Sequence, residues 1–332
     1  MRAVVIDEPG GPEKLRIARV PTPVPGPGEV LVEVAHAGVN PADWKTREGW
    51  LDSFFDYTFP FVLGYDMSGT VAACGPDVAG FTVGDRVVAY SHQIRGTGGS
   101  YAEFALADAA RVAVLPDTVS SAVAASVPVP GVTACEAVFV VGDVRAGQKV
   151  LVNGASGGLG SYAVQLCRDL GAEVAATCSA ANHDYVRDLG AHLVIDYRSE
   201  DVAAAVLAWA PDGVDLVIDA VGQGTLPDAV RMTRDGGCVA PIGTLIADEP
   251  GYDEADAARR GVRVHPTMSN YERSGQHLNT LVGLLASGRL RAPEVEVLPM
   301  EQVRRAQERV RAGHVRGKLV LRIGGDRAED TG

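Results

Sequence analysis

The run Ala155-Ser156-Gly157-Gly158-Leu159-Gly160 can do chemistry without a reactive side chain. It follows the apolar stretch Val150-Leu151-Val152 and the pair Asn153-Gly154. It leads into a segment where Ala163, Leu166, Cys167 and Leu170 recur at helical spacing before a stop at Gly171. Glycines in such a turn remove side chains where backbone must approach a phosphate. The helix behind them offers unpaired N–H groups at the positive end of its dipole. Ser156, Gly157, Gly158 and Leu159 are therefore candidate ligands of a dinucleotide pyrophosphate. The spelling departs from G-x-G-x-x-G, and a glycine turn that binds nothing is the plain alternative. The strand before it and the strand–helix units after it favour the binding corner.

A second chemical clue lies where the next strand ends. A fold that binds NAD carries Asp or Glu there for the ribose 2′-hydroxyl, whereas this chain has Thr177-Cys178-Ser179. With no carboxylate to repel a 2′-phosphate, NADPH is the expected cofactor. Val221, Gly243 and Thr244 follow the fourth and fifth strands, at the carboxyl edge where open α/β sheets place ligands. His92 offers a general acid, but an exposed loop histidine explains it more simply. Cys178 reads as an inert small hydrophobe.

Composition narrows the partners. Apolar residues make up 46% and charged residues 22%, as in soluble globular proteins, and a formal charge of −12 repels nucleic acid and anionic membrane surfaces. The five cysteines are scattered and never in C-x-x-C spacing, so neither a zinc knuckle nor a disulfide framework is expected, and a reducing cytoplasm fits. The amino terminus lacks the order of a signal peptide. The most apolar stretch, Val119 to Val141, is cut by Pro128, Pro130, Gly131, Thr133 and Glu136, and reads as buried core, not a membrane span.

These residues need two kinds of scaffold. From Met1 to about Leu115, short apolar or alternating runs are punctuated by Pro21, Pro23, Pro25 and Pro27, the pattern of an irregular β-barrel. From about Ala122 to Leu285, strands alternate with helices, as in a doubly wound parallel sheet with right-handed crossovers. Six strands are expected there, at 149–153, 173–178, 193–196, 216–219, 238–242 and 262–265. Strand, helix and strand return after Gly288, a segment expected to rejoin the first domain. The fold class is thus α/β, with residues 1–121 and 289–332 in the barrel domain, 122–288 in the dinucleotide domain, and a frayed tail from Gly324.

Whole words of sequence also carry a likeness: Gly38-Val39-Asn40-Pro41-Ala42-Asp43-Trp44-Lys45, Gly64-Tyr65-Asp66-Met67-Ser68-Gly69, Phe81-Thr82-Val83-Gly84-Asp85-Arg86-Val87, Gly131-Val132-Thr133-Ala134, Leu189-Gly190-Ala191, Ile195-Asp196-Tyr197 and Gly317-Lys318-Leu319-Val320-Leu321. Over nearly its whole length the chain resembles the zinc-free quinone oxidoreductase branch of the medium-chain dehydrogenase/reductase superfamily. The resemblance implies a GroES-like β-barrel domain, a Rossmann domain and a cofactor in the cleft between them. In zinc-using relatives a cysteine stands at the place of Asn40 and a histidine at that of Tyr65. Amide and phenol make a poor divalent site. Polarisation of the acceptor then falls to hydrogen bonds. That favours small electrophiles activated by conjugation, such as quinones, enones or enoyl thioesters.

The same likeness assigns roles. Asn40 is implied beside the nicotinamide and substrate, although Asn before Pro41 also suits a turn for local reasons. Tyr65 is a hydrogen-bond donor and proton source, or else an aromatic pocket wall. Asp43 orients Tyr65 or holds the loop. Trp44, Trp50, Phe54, Phe55 and Tyr57 cover an acceptor ring or form a satellite core. Thr133 is implied at the nicotinamide ribose, and Ser179 and Tyr197 at the 2′-phosphate. There the lysine of many relatives gives way to Asn182 or His183; Arg187, Arg198 or Lys318 compensates, or is a surface charge. Relatives often pair the edge strands of their nucleotide sheets, so a homodimer through Val262–Pro266 is expected. Two rival functions stay open: a biosynthetic enoyl or enone reductase acting on a natural product, and an NADPH-binding sensor or structural protein without turnover.

Overall fold

The computed structural model describes residues 1–53, 57–95, 98–243 and 250–324, so Phe54, Phe55, Thr244 and the tail beyond Gly324 lie outside the described residues. The chain forms two compact units. One is Met1–Val129 with Tyr271–Gly288 and Glu294–Gly332, and the other is Pro130–Asn270 with Arg289–Pro293.

The first unit opens with β1 (Arg2–Ile6), β2 (Arg16–Arg19), β3 (Glu29–Gly38), β4 (Phe61–Val62), β5 (Asp66–Cys74), β6 (Arg86–Tyr90), β7 (Phe104–Asp108) and β8 (Val112–Val114). The second unit holds β9 (Lys149–Asn153), β10 (Glu173–Cys178), β11 (Leu193–Asp196), β12 (Val214–Asp219), β13 (Thr233–Pro241) and β14 (Arg263–Val264). The chain then returns to the first with β15 (Val295–Pro299) and β16 (Lys318–Arg322).

In the GroES-like first unit the large sheet runs β15-β16-β3-β5-β6-β8, with β7 pairing β3, beside a small sheet β2-β1-β4. Alternation along β3 turns Val30, Val32 and Val34 into a core shared with Phe61, Met67 and Leu319. β7 begins only at Phe104, because Tyr101 and Ala102 are drawn to β1: Val4 N–H donates to Tyr101 O at 2.8 Å, and Ala3 bridges Ala102. Antiparallel pairing sets Val320 opposite Gly38 and Gly38 opposite Asp66, so the end of β3 lies between the first residues of β16 and β5. That register brings three strand ends side by side.

The second unit is a Rossmann sheet. All six strands are parallel, in the order β11-β10-β9-β12-β13-β14. Counted within the unit this is 3-2-1-4-5-6, the order of dinucleotide folds. Val150, Leu151 and Val152 of β9 are fully buried, as a central strand covered on both faces requires. The glycine turn leads into the helix Gly158–Asp169, which Gly171 ends at φ +81°. Asp201 caps the helix Val202–Trp209 by accepting from Ala204 N–H at 3.0 Å. The apolar stretch before β9 forms the helix Pro128–Cys135, continued to Val141, with Val132, Ala134, Ala137 and Val138 buried. Among the described residues no helix is long and apolar enough to cross a membrane. The leucine-striped helix Ser274–Ala286 groups with the first unit, where Gly275 lies so close to Ala110 that a Cβ would stand 2.0 Å from its carbonyl oxygen.

Candidate active site

In the first unit three strand ends bring together Asn40, Asp66 and Lys318, all buried. Asn40 Nδ2 donates to Asp66 Oδ2 at 2.8 Å, and the Lys318 ammonium donates to Asn40 Oδ1 and, at 2.9 Å, to Val39 O. Asp66 Oδ1 accepts from Val129 N–H at 2.9 Å, and its Oδ2 lies 3.6 Å from Lys318 Nζ. Burial raises the Asp66 carboxyl above the usual carboxylate range, and burial likewise lowers the Lys318 ammonium. Lys318, offered by the sequence as a charge for a 2′-phosphate, thus spends its donors on Val39 and Asn40. Asn40 also stands at the N-cap of the helix Pro41–Arg47, a local role that its position before Pro41 suggests.

Asp43 holds this loop. Its Oδ2 accepts from Asn40 N–H at 2.6 Å and from the Tyr101 hydroxyl at 2.9 Å, while Oδ1 is buried without a hydrogen-bond partner. Burial, then the nearby Asp66 charge, pushes the Asp43 carboxyl up to about 7. Tyr65 takes its hydrogen bonds elsewhere. Its hydroxyl lies 3.1 Å from Thr46 Oγ1, which donates to Ala42 O at 2.8 Å and accepts from Gln93 Nε2 at 3.2 Å. A threonine has one proton to give, so Tyr65 donates to Thr46 at rest. Burial pushes the Tyr65 phenol up to about 12, so it keeps its proton at neutral pH.

In the second unit the glycine turn packs tightly against the start of its helix. A Cβ on Gly160 would lie 2.3 Å from Gly154 O and 2.7 Å from Ala155 Cα, so the helix start and the turn touch backbone to backbone. Gly157 precedes the helix with no side-chain cap, which leaves first-turn amides at Gly158 and Leu159 for a ligand. Beneath the corner Asn153, Thr177 and Asp219 tie the ends of β9, β10 and β12. Thr177 Oγ1 donates to Asn153 Oδ1 at 2.6 Å, and Asn153 Nδ2 donates to Asp219 Oδ1 at 2.8 Å. Asp219 Oδ1 also accepts from Val221 N–H at 3.1 Å, which holds the turn after the fourth strand.

Ser156, Ser179 and Asn182 converge beside the corner, since Asn182 Nδ2 donates to Ser179 Oγ at 3.2 Å and to Ser156 Oγ at 3.3 Å. Tyr197 is exposed just after β11, its hydroxyl accepting from Arg198 Nε at 3.3 Å. Thr133 is buried within the helix Pro128–Cys135, one turn after its start, and Gly243 donates to Thr267 O at 3.0 Å beyond β13. Trp44 meets Trp50 edge to face at 5.0 Å, and Tyr57 meets Phe61 at 4.9 Å, against the barrel core. Burial pushes the Cys178 thiol up to about 11, which makes it inert.

His92 corrects the sequence reading. It is 3% exposed, not a loop histidine in solvent, because β3 and β7 bring Glu29 and Asp108 to its ring at 3.6 and 3.1 Å. Arg111 and the Tyr271 hydroxyl bond Asp108 as well, which makes this a polar network of the barrel.

A GroES-like unit and a Rossmann sheet with a glycine corner define a nicotinamide-dependent dehydrogenase or reductase. The chain belongs to the medium-chain dehydrogenase/reductase superfamily, in its quinone oxidoreductase-like branch. Residues 26–117 match the alcohol dehydrogenase GroES-like domain and 189–321 a family described as zinc-binding dehydrogenase. A chloroplastic quinone oxidoreductase of Triphysaria versicolor is 32% identical over 97% of this chain and 98% of its own. A trans-enoyl reductase of Aspergillus japonicus is 31% identical over 89% of this chain and 90% of its own. The structure of a quinone oxidoreductase from Coxiella burnetii superposes with a TM-score of 0.85 at 30% identity, covering 98% of this chain and 99% of that one. The family binds NAD(P)H. Zinc does not fit the residues at 40 and 65: one is an amide already bonded to an ammonium, the other a phenol that keeps its proton.

Proposed function

We propose that the protein is a zinc-independent, NADPH-dependent reductase that delivers hydride to a quinone or to another conjugated C=C or C=O acceptor. One observation carries this reading: two buried donors, the Asn40 amide and the Tyr65 phenol, stand held by hydrogen bonds where a metal enzyme needs ligands. Donors of this kind stabilise charge on an acceptor oxygen and suit electrophiles already activated by conjugation.

Bound NADPH supplies the hydride. Asn40 donates through Nδ2–H to the acceptor oxygen. Tyr65 turns its hydroxyl from Thr46 to that oxygen and releases its proton there, a role its protonated state at neutral pH supports. Gly157, Gly158 and Leu159 take the pyrophosphate. Ser156, Ser179, Asn182 and Tyr197 take the 2′-phosphate, and β10 ends without the carboxylate that would repel it. Thr133, Val221, Gly243 and Thr244 serve the nicotinamide half.

The trans-enoyl reductase relatives support a second reading, reduction of an enoyl group in a biosynthetic intermediate. Five free cysteines support the cytoplasm as compartment, and the position of β14 at the open edge of its sheet supports pairing into a homodimer.

Oxidation of NADPH on a panel of quinones and enones, with a zinc chelator present, tests the proposal. Turnover under those conditions is the expected result. Tight NADPH binding with no oxidation by any acceptor points instead to a sensor, and a requirement for stoichiometric zinc overturns the mechanism.

A further inference from the structure

We propose that Asp66 and Lys318 are positioning residues that lock the Asn40 side-chain amide in one orientation toward the acceptor. The inference rests on the proposed role of Asn40 as a donor to that acceptor. Lys318 opens β16 and, by the antiparallel register, comes level with Asn40 just past the end of β3; Asp66 opens β5 on the other side. The ammonium can only donate, and it donates to Asn40 Oδ1; an ionised carboxylate only accepts, and Asp66 takes one Nδ2 proton at 2.8 Å. An amide turned over by half a rotation would set N–H groups against the ammonium and oxygen against the carboxylate, so both neighbours exclude it.

One Nδ2 proton is then left over, and it is the one that can meet an acceptor oxygen. The ammonium polarises the amide through its oxygen and strengthens that remaining donor. The carboxylate offsets the ammonium's charge, so the pair orients the donor with no net charge of its own. The rest of both side chains is committed to backbone, Lys318 to Val39 O and Asp66 to Val129 N–H, which anchors them independently of Asn40.

The double variant Lys318→Met/Asp66→Leu removes both charges at similar volume, an exchange that buried ion pairs often tolerate without loss of stability. The folded variant is expected to lose about ten- to a hundredfold in kcat through misplacement of the donor. Acceptor KM and NADPH Kd should stay within about threefold, the split that marks an interaction made in the transition state. Lys318→Arg, which keeps a donor toward Oδ1, should restore most of the loss seen in Lys318→Met. A second readout needs no turnover. The Asn40 side-chain amide protons, assigned by their disappearance in Asn40→Asp, should be well separated and slow to exchange in the native protein, and should collapse to free-amide behaviour in Lys318→Met.

Native kcat in the double variant, or an Asn40 amide already averaged in the native protein, overturns the proposal. If the double variant does not fold, equal kcat in Lys318→Met and Lys318→Arg overturns it in the same way. If the native protein reduces no acceptor, the functional reading has failed, and the amide protons alone decide whether the pair holds Asn40.

Discussion

A Cβ built on Gly38 would lie 2.8 Å from Asp66 Oδ2 and 2.4 Å from the carbonyl oxygen of Ala125. The glycine therefore serves the carboxylate, clearing the path by which Asp66 reaches across β3 to Asn40. Gly38→Ala is expected to cost about 1–3 kcal/mol, the usual range for overpacking, and to loosen Asp66 from Asn40. Urea unfolding checks it; a midpoint equal to that of the native chain would count against this packing.

The corner of the Rossmann unit is as crowded at Gly160. Gly160→Ala must push the helix start away from Gly154, and an overpacking penalty of that size corresponds to about tenfold or more in NADPH affinity. Calorimetric titration measures it directly. Affinity within twofold of native would remove the corner from the binding site.

In the proposed reading, cofactor choice turns on Ser179. Ser179→Asp places a carboxylate at the end of β10, where like charge against a 2′-phosphate costs several kcal/mol and NADPH binding should fall about a hundredfold or more. NADH binding should hold or improve. Equal loss for both cofactors would mean that the 2′-position is read elsewhere.

Tyr65→Phe keeps the ring and removes the hydroxyl that Thr46 and Gln93 hold. As a proton donor, its loss should lower kcat by about ten- to a thousandfold. Unchanged turnover in a quinone assay would reduce Tyr65 to a pocket wall.

Asp43 makes stability depend on pH in a stated direction. Its carboxyl, ordinarily at 3.8, is pushed up to about 7 in the folded chain. Between those values the unfolded chain has released a proton that the folded one keeps, so stability falls as pH rises through that window and levels off above it. Asp43→Asn keeps an acceptor for Asn40 N–H and Tyr101 and removes the titration. The free-energy difference between variant and native should therefore shift in favour of the variant, by up to about 4 kcal/mol, across the window. Unfolding curves at a series of pH values decide it, and a constant difference would mean that Asp43 is ionised throughout.

The parts of this protein that the sequence spells out are those with a short period. Buried parallel strands leave unbroken apolar runs such as Val150-Leu151-Val152, and helices leave stripes such as Leu278, Leu281 and Val282. A backbone cradle leaves glycines because no side chain fits there. These local constraints determine the two architectures and the glycine turn. What tertiary structure alone decides is which distant polar groups share a buried volume. Asn40 and Lys318 are 278 residues apart and meet because β16 pairs with β3. His92 reads as a solvent histidine until β3 and β7 bring Glu29 and Asp108 to it. Thr46 and Gln93 carry no motif, yet they set the direction of the Tyr65 hydroxyl. A hydrogen bond has no sequence period: its donor and acceptor are matched by distance in the folded chain, and the register of a sheet, not the spacing of residues, sets that distance.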